Sequence, residues 1–589
     1  MKSNISQSNL RKTSIIILTF NKLEYTQLCI ESIRKYTTSG SYEIVVVDNN
    51  SNDGTRPWLG EQTDIITIFN DENLGFPKGC NQGIEVANGD DILLLNNDVI
   101  VTEGWLDNLQ LCLYNSEDIG AVGPVTNNCS YYQSIDVDYK DIASMQVFAK
   151  NYNKPDSTKW EQRLKLIGFC MLIKGEVVRK IGILDEIFTP GNFEDDDYSY
   201  RMMNAGYKLI LCKDTFVHHF RHVTFNDDRS YYDELMQTNA QKFVEKWGFN
   251  SKYSSYIRTD VLSLIDLHDP NENIRVLEVG CACGGTLLEV KNRYKNSEIY
   301  GIELNPNSAA IAALFAQVSA SNIEKDMEFE EGFFDYIILP DVLEHLNDPW
   351  MVIENLKKYL KNNGKVISSI PNVMHHSVIK SLLNGRWEYE DAGLLDRTHV
   401  RFFTGFEIQK MFEDAGYVDI DFKANIYALS QEEEELIEKL SKLGNPELKA
   451  QMRIYQYLVK AKKRMPNNFL NELLTSAKED QAIEKLIQLI DSRNIDKKDL
   501  FDAIENISSN KQELYNDLAV SFYNKGKHEL IIELLQKSLF IDSKHRDTLY
   551  NLGSILYLAN ENELALHYLR NIDEKDEETK NLILEIEAI

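Results

Sequence analysis

The chain lacks a long apolar run. No stretch approaches the roughly 20 apolar residues that a membrane-spanning helix needs, and the N-terminal "MKSNISQSNLRKTS" is polar, without the apolar core of a signal peptide. It also lacks cysteine pairing patterns. Eight cysteines are scattered between Cys29 and Cys283, with no Cys-x-x-Cys and no metal-ligand spacing. Only Cys281-Ala282-Cys283 brings two together, inside a glycine-rich loop. This usage argues against a disulfide framework and for free thiols in a reduced, cytoplasmic setting. Positive charge is scarce as well. The formal net charge is -29, which opposes binding to nucleic-acid phosphates and to anionic membrane surfaces.

What is present is ordinary globular protein. Hydrophobic residues make up 43% of 589, so long disorder is not expected, and the length suits three or four domains of ~150 residues. In the first region, "SIIILTF" and "YEIVVVDNNS" are short β-branched runs ending in polar residues, as buried parallel strands do. Between them "KLEYTQLCIESIRKY" has helical spacing. "DILLLNND" is a third such strand, and strand–helix–strand order implies a parallel α/β sheet. A second region opens at "NIRVLEVGCACGGTLLEVKNRY", again strand, glycine-rich turn and helix, followed by strands in "EIYGIELN", "FDYIILPDVLEHL" and "GKVISSIPN". That is a second doubly wound unit. The third region is helical. "SQEEEELIEKLSKLG" is an acidic helix with a solvated face. Further on, "LYNDLAVSFYNKGKHELIIELLQKSL" repeats as "TLYNLGSILYLANENELALHYLRNI" at a 34-residue offset. Leu518, Ala519, Phe522 and Leu535 align with Leu552, Gly553, Leu556 and Leu569. This is the tetratricopeptide period, with small residues where paired helices touch, although the usual Trp and Pro are missing. The expected domains are 1–255, 256–425, a helical linker 426–505, and repeats 506–589.

The candidate sites lie at strand ends. In "GDDILLLNNDVIVTEGWLDN" an apolar strand stops on Asn96-Asn97-Asp98. Alone, that is a turn, because Asn and Asp bond nearby backbone. It also places a carboxylate at the carboxyl edge of a parallel sheet, where ligands bind. The blocks "ILTFNK", "VVVDNNSNDGT", "NLGFPKGCNQGI", "LLLNNDV", "FEDDDYSYRMMNAGYKL" and "FVHH" follow in order. Together they resemble the family-2 inverting glycosyltransferases of GT-A fold, from about Thr13 to Phe225.

That resemblance implies a nucleotide-sugar donor, a UDP-sugar first and guanine or thymine nucleotides second. Thr19, Asn21 and Asp48 are expected at the base and ribose, and Asn50, Asn73, Gly75, Asn81, Asn96 and Asn97 among the donor-binding residues. Asp98 is expected to hold Mn²⁺ or Mg²⁺, with His218 as second ligand and the adjacent His219 as the alternative that the sequence leaves open. A divalent cation suits this chemistry because a sugar diphosphate leaves with accumulating charge. Asn96 departs from the family's Asp at the head of its Asp-x-Asp motif. Asp195 matches the family's catalytic base, with Glu194 beside it, and neighbouring acids are expected to raise its pKa. The alternative for "EDDD" is an acidic helix N-terminus that complements the dipole. Arg201 is expected to pair with one of these carboxylates or with the diphosphate.

"VLEVGCACGG", "YGIEL", "SASNIEK" and "DVLEHL" resemble class I S-adenosylmethionine-dependent methyltransferases over about 270–425. That resemblance implies cofactor contacts from Glu278, Gly280, Gly284, Glu303, Asn322 and Asp341. Ala282 replaces the usual middle Gly, and Asn322 replaces a usual Asp. "PNVMHHS" and "GLLDRTHVRFFT" carry His375 and His399. With His345 they read as structural or substrate-positioning, a base being the alternative.

Two functional expectations result. One is a bifunctional enzyme that transfers a sugar to an acceptor hydroxyl and methylates the glycan, with the repeats holding a protein such as flagellin, or with a lipid-linked glycan as acceptor. The other is a scaffold whose repeats recruit partners while one or both catalytic domains are silent.

Overall fold

The computed structural model describes residues 11–588 apart from 221–228, 326, 445–446, 465–466, 477–479, 492–494, 496 and 508–509. Part of "FRHVTF", the tail of the expected first domain's resemblance, lies outside the described residues.

Ten strands build the first unit: β1 (Thr13–Thr19), β2 (Tyr42–Asp48), β3 (Ile65–Phe69), β4 (Asp91–Asn96), β5 (Val99–Ile100), β6 (Ile119–Val125), β7 (Trp160–Arg163), β8 (Cys170–Lys174), β9 (Lys208–Phe216) and β10 (His218–His219). Eight of them form one sheet in the order β3-β2-β1-β4-β8-β6-β9-β7, and β5 pairs with β10 in a small ribbon. The β-branched runs are the buried strands, as their composition demands: Ile15, Ile16, Ile17 and Val45, Val46, Val47 are essentially inaccessible. Register aligns the polar stops. Thr19 stands opposite Asp48 across β1–β2, and Leu18 opposite Asn96 across β1–β4. One edge of the parallel half of the sheet is therefore lined by hydrogen-bonding side chains.

The second unit has β11 (Arg275–Val279), β12 (Glu298–Glu303), β13 (Gln317–Ala320), β14 (Phe334–Pro340), β15 (Leu360–Pro371), β16 (Tyr417–Asn425) and β17 (Gln456–Lys463). Their order is β13-β12-β11-β14-β15-β17-β16. β17 runs antiparallel to both β15 and β16. This corrects the expected division of the chain. The segment 426–505, read as a helical linker, supplies a strand that lies inside the second sheet and separates β15 from β16.

The two units share a core. Cys283, Leu288 and Ile311 of the second pack in one buried cluster with Tyr200, Phe243 and Phe249. Polar bonds reinforce it. Arg163, on edge strand β7 and only 5% exposed, pairs with Glu161 and with Glu289 Oε2 at 2.7 Å. Asn292 and Gln162 exchange two hydrogen bonds of 3.0 and 3.2 Å. A buried cation flanked by two carboxylates costs heavily if either is removed, so this contact fixes the pairing of the units.

The C-terminal region is helical. Lys511–Asn524 packs on Ile531–Ile541, and Arg546–Leu558 on Asn562–Arg570. Three of the four aligned pairs are buried in both repeats, Leu518, Ala519, Leu535, Leu552 and Leu569 among them, whereas Phe522 is buried and its counterpart Leu556 only partly so. A Cβ on Gly553 would lie 2.5 Å from Leu569 Cγ, so the helices touch where the repeat places small residues. The preceding helices Asn467–Thr475, Asp480–Asp491 and Lys497–Asn506 extend the stack, since Leu470, Leu486 and Leu500 share its core. No helix among the described residues is long and apolar enough to cross a membrane.

Candidate functional sites at the two sheet edges

The first site grows from β1, β2 and β4. Asp48 is fully buried at the end of β2. Its Oδ2 accepts from Ser51 N–H at 3.1 Å and faces Arg56 at 3.6 Å, whereas Oδ1 has no hydrogen-bond partner among the described residues. An unpartnered buried carboxylate oxygen is costly and marks a place where a ligand donor fits. Asn21 and Asn50 flank it in the left-handed conformation, with φ of 57° and 67°. Asn21 is fixed by donating its N–H to Ser51 Oγ at 2.6 Å and accepting from Asn52 N–H at 2.8 Å, and Asn50 accepts from Arg56 at 3.3 Å.

Asn73 Oδ1 accepts from Gly75 N–H and from the Asn49 amide at 3.0 and 3.1 Å. Gly75 has φ +79°, and a Cβ there would lie 2.7 Å from Pro190 Cα, so no other residue fits this crossing. Two expected donor residues turn out to be internal struts. The Asn81 amide group is consumed by the Leu184 backbone, donating at 3.0 Å and accepting at 3.0 Å, with Glu186 at 3.1 Å. Asn97 donates to Thr19 and Thr26 hydroxyls at 3.3 and 3.1 Å, tying the β1 and β4 ends together. Thr19 is correspondingly buried, and Asn96 remains at the partly exposed strand end.

Asp98 lies just past this edge, 7% exposed. The ribbon pairs His219 with Val99 and His218 with Ile100, which points the two rings apart. His219 Nε2 lies 3.2 Å from Asp98 Oδ1, and its Nδ1 lies 3.0 Å from the Asn128 carbonyl. His218 turns to the Tyr139 hydroxyl at 2.6 Å, and burial, then His219, pull its pKa down to about 4. The expected order of the two histidines is thus reversed: His219 faces the carboxylate, and His218 belongs to an aromatic pocket with Tyr139 and Phe220.

Four acids open helix Glu194–Asn204. They are not equivalent. Asp197 is fully buried and held by Arg201, Lys246 and Trp247 Nε1. Asp196 binds Lys165 Nζ at 2.7 Å and the Ser251 hydroxyl. Arg201 therefore serves a carboxylate, and also the Ile181 and Ile183 carbonyls. Glu194 and Asp195 form no ion pair among the described residues. Burial, then Asp195, pushes Glu194 well up, and its Oε2 has no partner among the described residues. Burial, then Asp196, pushes Asp195 up to about 6. Asp195 stays partly exposed, oriented by the Gly168 N–H at 3.0 Å. The next residue, Phe169, stacks on His219 with ring centroids 5.1 Å apart and accepts from Asn96 N–H at 2.9 Å. Gly168-Phe169 thus ties the Asp195 corner to the Asp98–His219 corner. The sequence reading missed this dipeptide and Lys165, which stand before β8 without any motif to mark them.

The second site is the carboxyl edge of β11, β12 and β14. Gly280 and Gly284 both have positive φ, and a Cβ on Gly284 would meet Phe315 Cζ at 2.8 Å. Ala282 accepts the turn at φ 47°. Its N–H donates to Glu303 Oε2 at 2.8 Å, while Glu303 Oε1 takes Asn305 N–H at 2.7 Å. The acid at the end of β12 therefore also braces the glycine-rich loop. Glu278 is 2% exposed with Oε2 unpartnered among the described residues, and burial lifts it to about 8. Asn322 accepts from Glu324 N–H at 2.9 Å, capping a turn. Asp341, at φ 53°, accepts from Ser369 Oγ at 2.8 Å and pairs with Arg258, a residue the sequence reading did not single out.

Comparison with known proteins agrees with this division. Residues 14–182 match the family described as Glycosyl transferase family 2, and residues 249–421 match the family described as Methyltransferase domain. The chain is 26% identical over 164 residues, 27% of its length, to a ubiquinone biosynthesis O-methyltransferase of Cereibacter sphaeroides, of which 66% is covered. It is 27% identical over 217 residues, 36% of its length, to the low-salt glycan biosynthesis hexosyltransferase Agl10 of Haloferax volcanii, of which 67% is covered. Matches of this kind span about two thirds of the relatives' own length. A crystal structure of a SAM-dependent methyltransferase from Archaeoglobus fulgidus aligns with TM-score 0.27 and 18% identity, covering 38% of this chain and 99% of that one. The chain carries a family-2 glycosyltransferase domain and a methyltransferase domain. The family-2 match ends before Asp195 and His219, so those two residues rest on geometry.

Proposed function

We propose that the protein is a bifunctional glycan-modifying enzyme. Its first domain transfers a sugar, with inversion, from a nucleotide-sugar donor, a UDP-sugar by preference, to an acceptor hydroxyl. Its second methylates the glycan product. The observation that supports this reading is the division among the four acids of 194–197. Asp196 and Asp197 are neutralised by Lys165, Arg201 and Lys246, whereas Asp195 is oriented, partly exposed and lifted to about 6. A carboxylate so poised suits general-base work near neutral pH.

In this reading Asp195 takes the proton of the acceptor hydroxyl as its oxygen bonds to the anomeric carbon. The bond from that carbon to the diphosphate oxygen breaks on the opposite face. Asp48 accepts from the base with its free Oδ1, and Asn21 and Asn50 line the nucleoside end. Asp98 and His219 fit a divalent cation, Mn²⁺ or Mg²⁺, which would offset the charge growing on the leaving diphosphate. In the second domain Gly280, Gly284, Glu278, Glu303, Asn322 and Asp341 surround a place for S-adenosylmethionine, the methyl source. A pure scaffold is a poorer account, because it gives no reason for unpartnered buried oxygens on Asp48 and Glu278.

The acceptor is a Ser or Thr of flagellin or another surface protein held by the C-terminal helical repeats, since stacked repeats of this kind present extended concave binding surfaces. A lipid-linked glycan is the competing acceptor. The chain's acidity and free thiols suit action in the cytoplasm. The test is mass spectrometry of flagellin incubated with the protein, a panel of nucleotide sugars, Mn²⁺ and S-adenosylmethionine. A sugar mass followed by a methyl mass is expected. Donor hydrolysis with unmodified flagellin would move the acceptor to a lipid-linked glycan.

A further inference from the structure

We propose that Glu344, His345 and His399 form a second divalent-metal site, distinct from Asp98–His219, beside the methyl-transfer centre. The three side chains come from two loops. Glu344 and His345 lie on the short helix Leu343–His345 after β14, and His399 lies in the loop 394–401. One ligand atom from each comes within 4.8 Å of the others. Metal–ligand bonds of about 2.1 Å span about 4.2 Å between opposite ligands, so a small closure completes the site.

Four further observations favour a metal over a chance cluster. Glu344 is 1% exposed, yet both carboxylate oxygens lack a hydrogen-bond partner among the described residues. A buried, wholly unpartnered carboxylate is expensive unless a cation meets it. Both histidines turn Nδ1 to backbone carbonyls: His345 to Thr398 O at 3.2 Å and His399 to Leu394 O at 3.2 Å. His345 Nδ1 also lies 3.1 Å from the Thr398 hydroxyl, and a proton on each Nδ1 would answer its carbonyl and leave Nε2 for an ion, the arrangement found in metal-ligating histidines. The ring centroids are 4.8 Å apart, close enough to share an ion. Finally, the two loops are stapled together, because the Glu344 carbonyl accepts from Val400 and Arg401 N–H at 2.9 and 3.0 Å. The backbone that carries the three side chains is thus held together by the fold itself.

The donor set names the class of ion. Two imidazoles and one carboxylate suit a transition ion such as Zn²⁺, Mn²⁺, Co²⁺ or Fe²⁺, and disfavour Mg²⁺ and Ca²⁺, which prefer all-oxygen shells. Location suggests the role. Val342 Cγ2 lies 3.0 Å from where a Cβ on Gly280 would stand, so this segment abuts the glycine-rich loop. An ion there can bind an acceptor hydroxyl and lower its pKa. The O–H proton passes to solvent, the oxygen bonds to the methyl carbon, and the methyl–sulfonium bond breaks to leave S-adenosylhomocysteine. This role rests on the methyltransferase reading, whereas the binding of metal does not.

The experiment is Co²⁺ titration of the full chain, followed by visible d–d absorption and by equilibrium dialysis, with S-adenosylhomocysteine thermal shift in parallel. The Asp98→Asn/His219→Ala chain is expected to keep one tightly held Co²⁺. Glu344→Gln, His345→Ala and His399→Ala should each weaken that ion at least tenfold while retaining the S-adenosylhomocysteine shift. If an Asp98→Asn/His219→Ala chain that keeps the S-adenosylhomocysteine shift binds no Co²⁺, or if the three variants bind it as wild type does, the proposal is overturned. A Co²⁺ ion held at these residues in a chain that ignores S-adenosylhomocysteine would instead overturn the methyltransferase reading and leave the site standing.

Discussion

His219 Nε2 faces Asp98 Oδ1 at 3.2 Å while its Nδ1 faces the Asn128 carbonyl at 3.0 Å. With its proton on Nδ1, the ring turns a lone pair to a carboxylate, and only a cation between them, a proton or a metal ion, makes that favourable. Mn²⁺-dependent UDP binding should fall at least about tenfold in His219→Ala, a loss of the size seen on disturbing metal shells. It should survive in His218→Ala, whose ring serves Tyr139. Calorimetry with Mn²⁺ and UDP checks both.

Asp195→Asn should cut sugar transfer by roughly 10²- to 10⁴-fold, the range typical of a general base, with donor affinity unchanged. For the wild type the sign is fixed by the raised pKa of about 6. The base works deprotonated, so the transfer rate should climb through about pH 6 and level off above it. The same shift carries a stability consequence. A carboxyl whose folded pKa exceeds its unfolded value favours folding most at low pH and loses that contribution as pH rises through about 6. Asp195→Asn should thus melt higher than wild type at pH 8, an advantage that disappears near pH 4.

Asp48→Ala removes an acceptor whose Oδ1 has no hydrogen-bond partner among the described residues. A hydrogen bond to a charged group contributes about 1.5–3 kcal/mol, so UDP affinity should fall roughly 10- to 100-fold. An equal loss for a nucleotide diphosphate whose base lacks a matching N–H would contradict this assignment. Competition binding with a set of nucleoside diphosphates reads the difference.

A chain cut after residue 425 should lose S-adenosylhomocysteine binding and aggregate, whereas one cut after 464 should bind it. The reason is β17, which fills the gap between β15 and β16 and whose absence exposes two strand edges. Thermal shift on the two truncations decides this.

Much of the molecule was legible because strand ends are written in short polar stops. Such stops mark Asp48, Asn96 and Asp98, and register brings their strands to one edge. The repeat offset likewise predicted buried Ala519 and Gly553. β17 was not legible. "QYLVKAKK" is a short, lysine-rich strand reached only after an acidic helical insertion, and nothing local signals that it returns to a sheet already left. Asn81 and Asn97 were misplaced for a related reason: an amide at the sheet edge serves a ligand or a neighbouring loop equally well, and only the Leu184 and Thr19 partners distinguish the two. The two histidines are separated by ribbon register, where a shift of one residue swaps the face.

The most direct test of the account is donor turnover with Mn²⁺ across a panel of nucleotide sugars, comparing wild type with Asp195→Asn. The wild type should consume one UDP-sugar, chelation should stop it, and Asp195→Asn should bind the same donor without consuming it. Turnover by Asp195→Asn at the wild-type rate, or a wild type that neither binds nor consumes any donor, would contradict it.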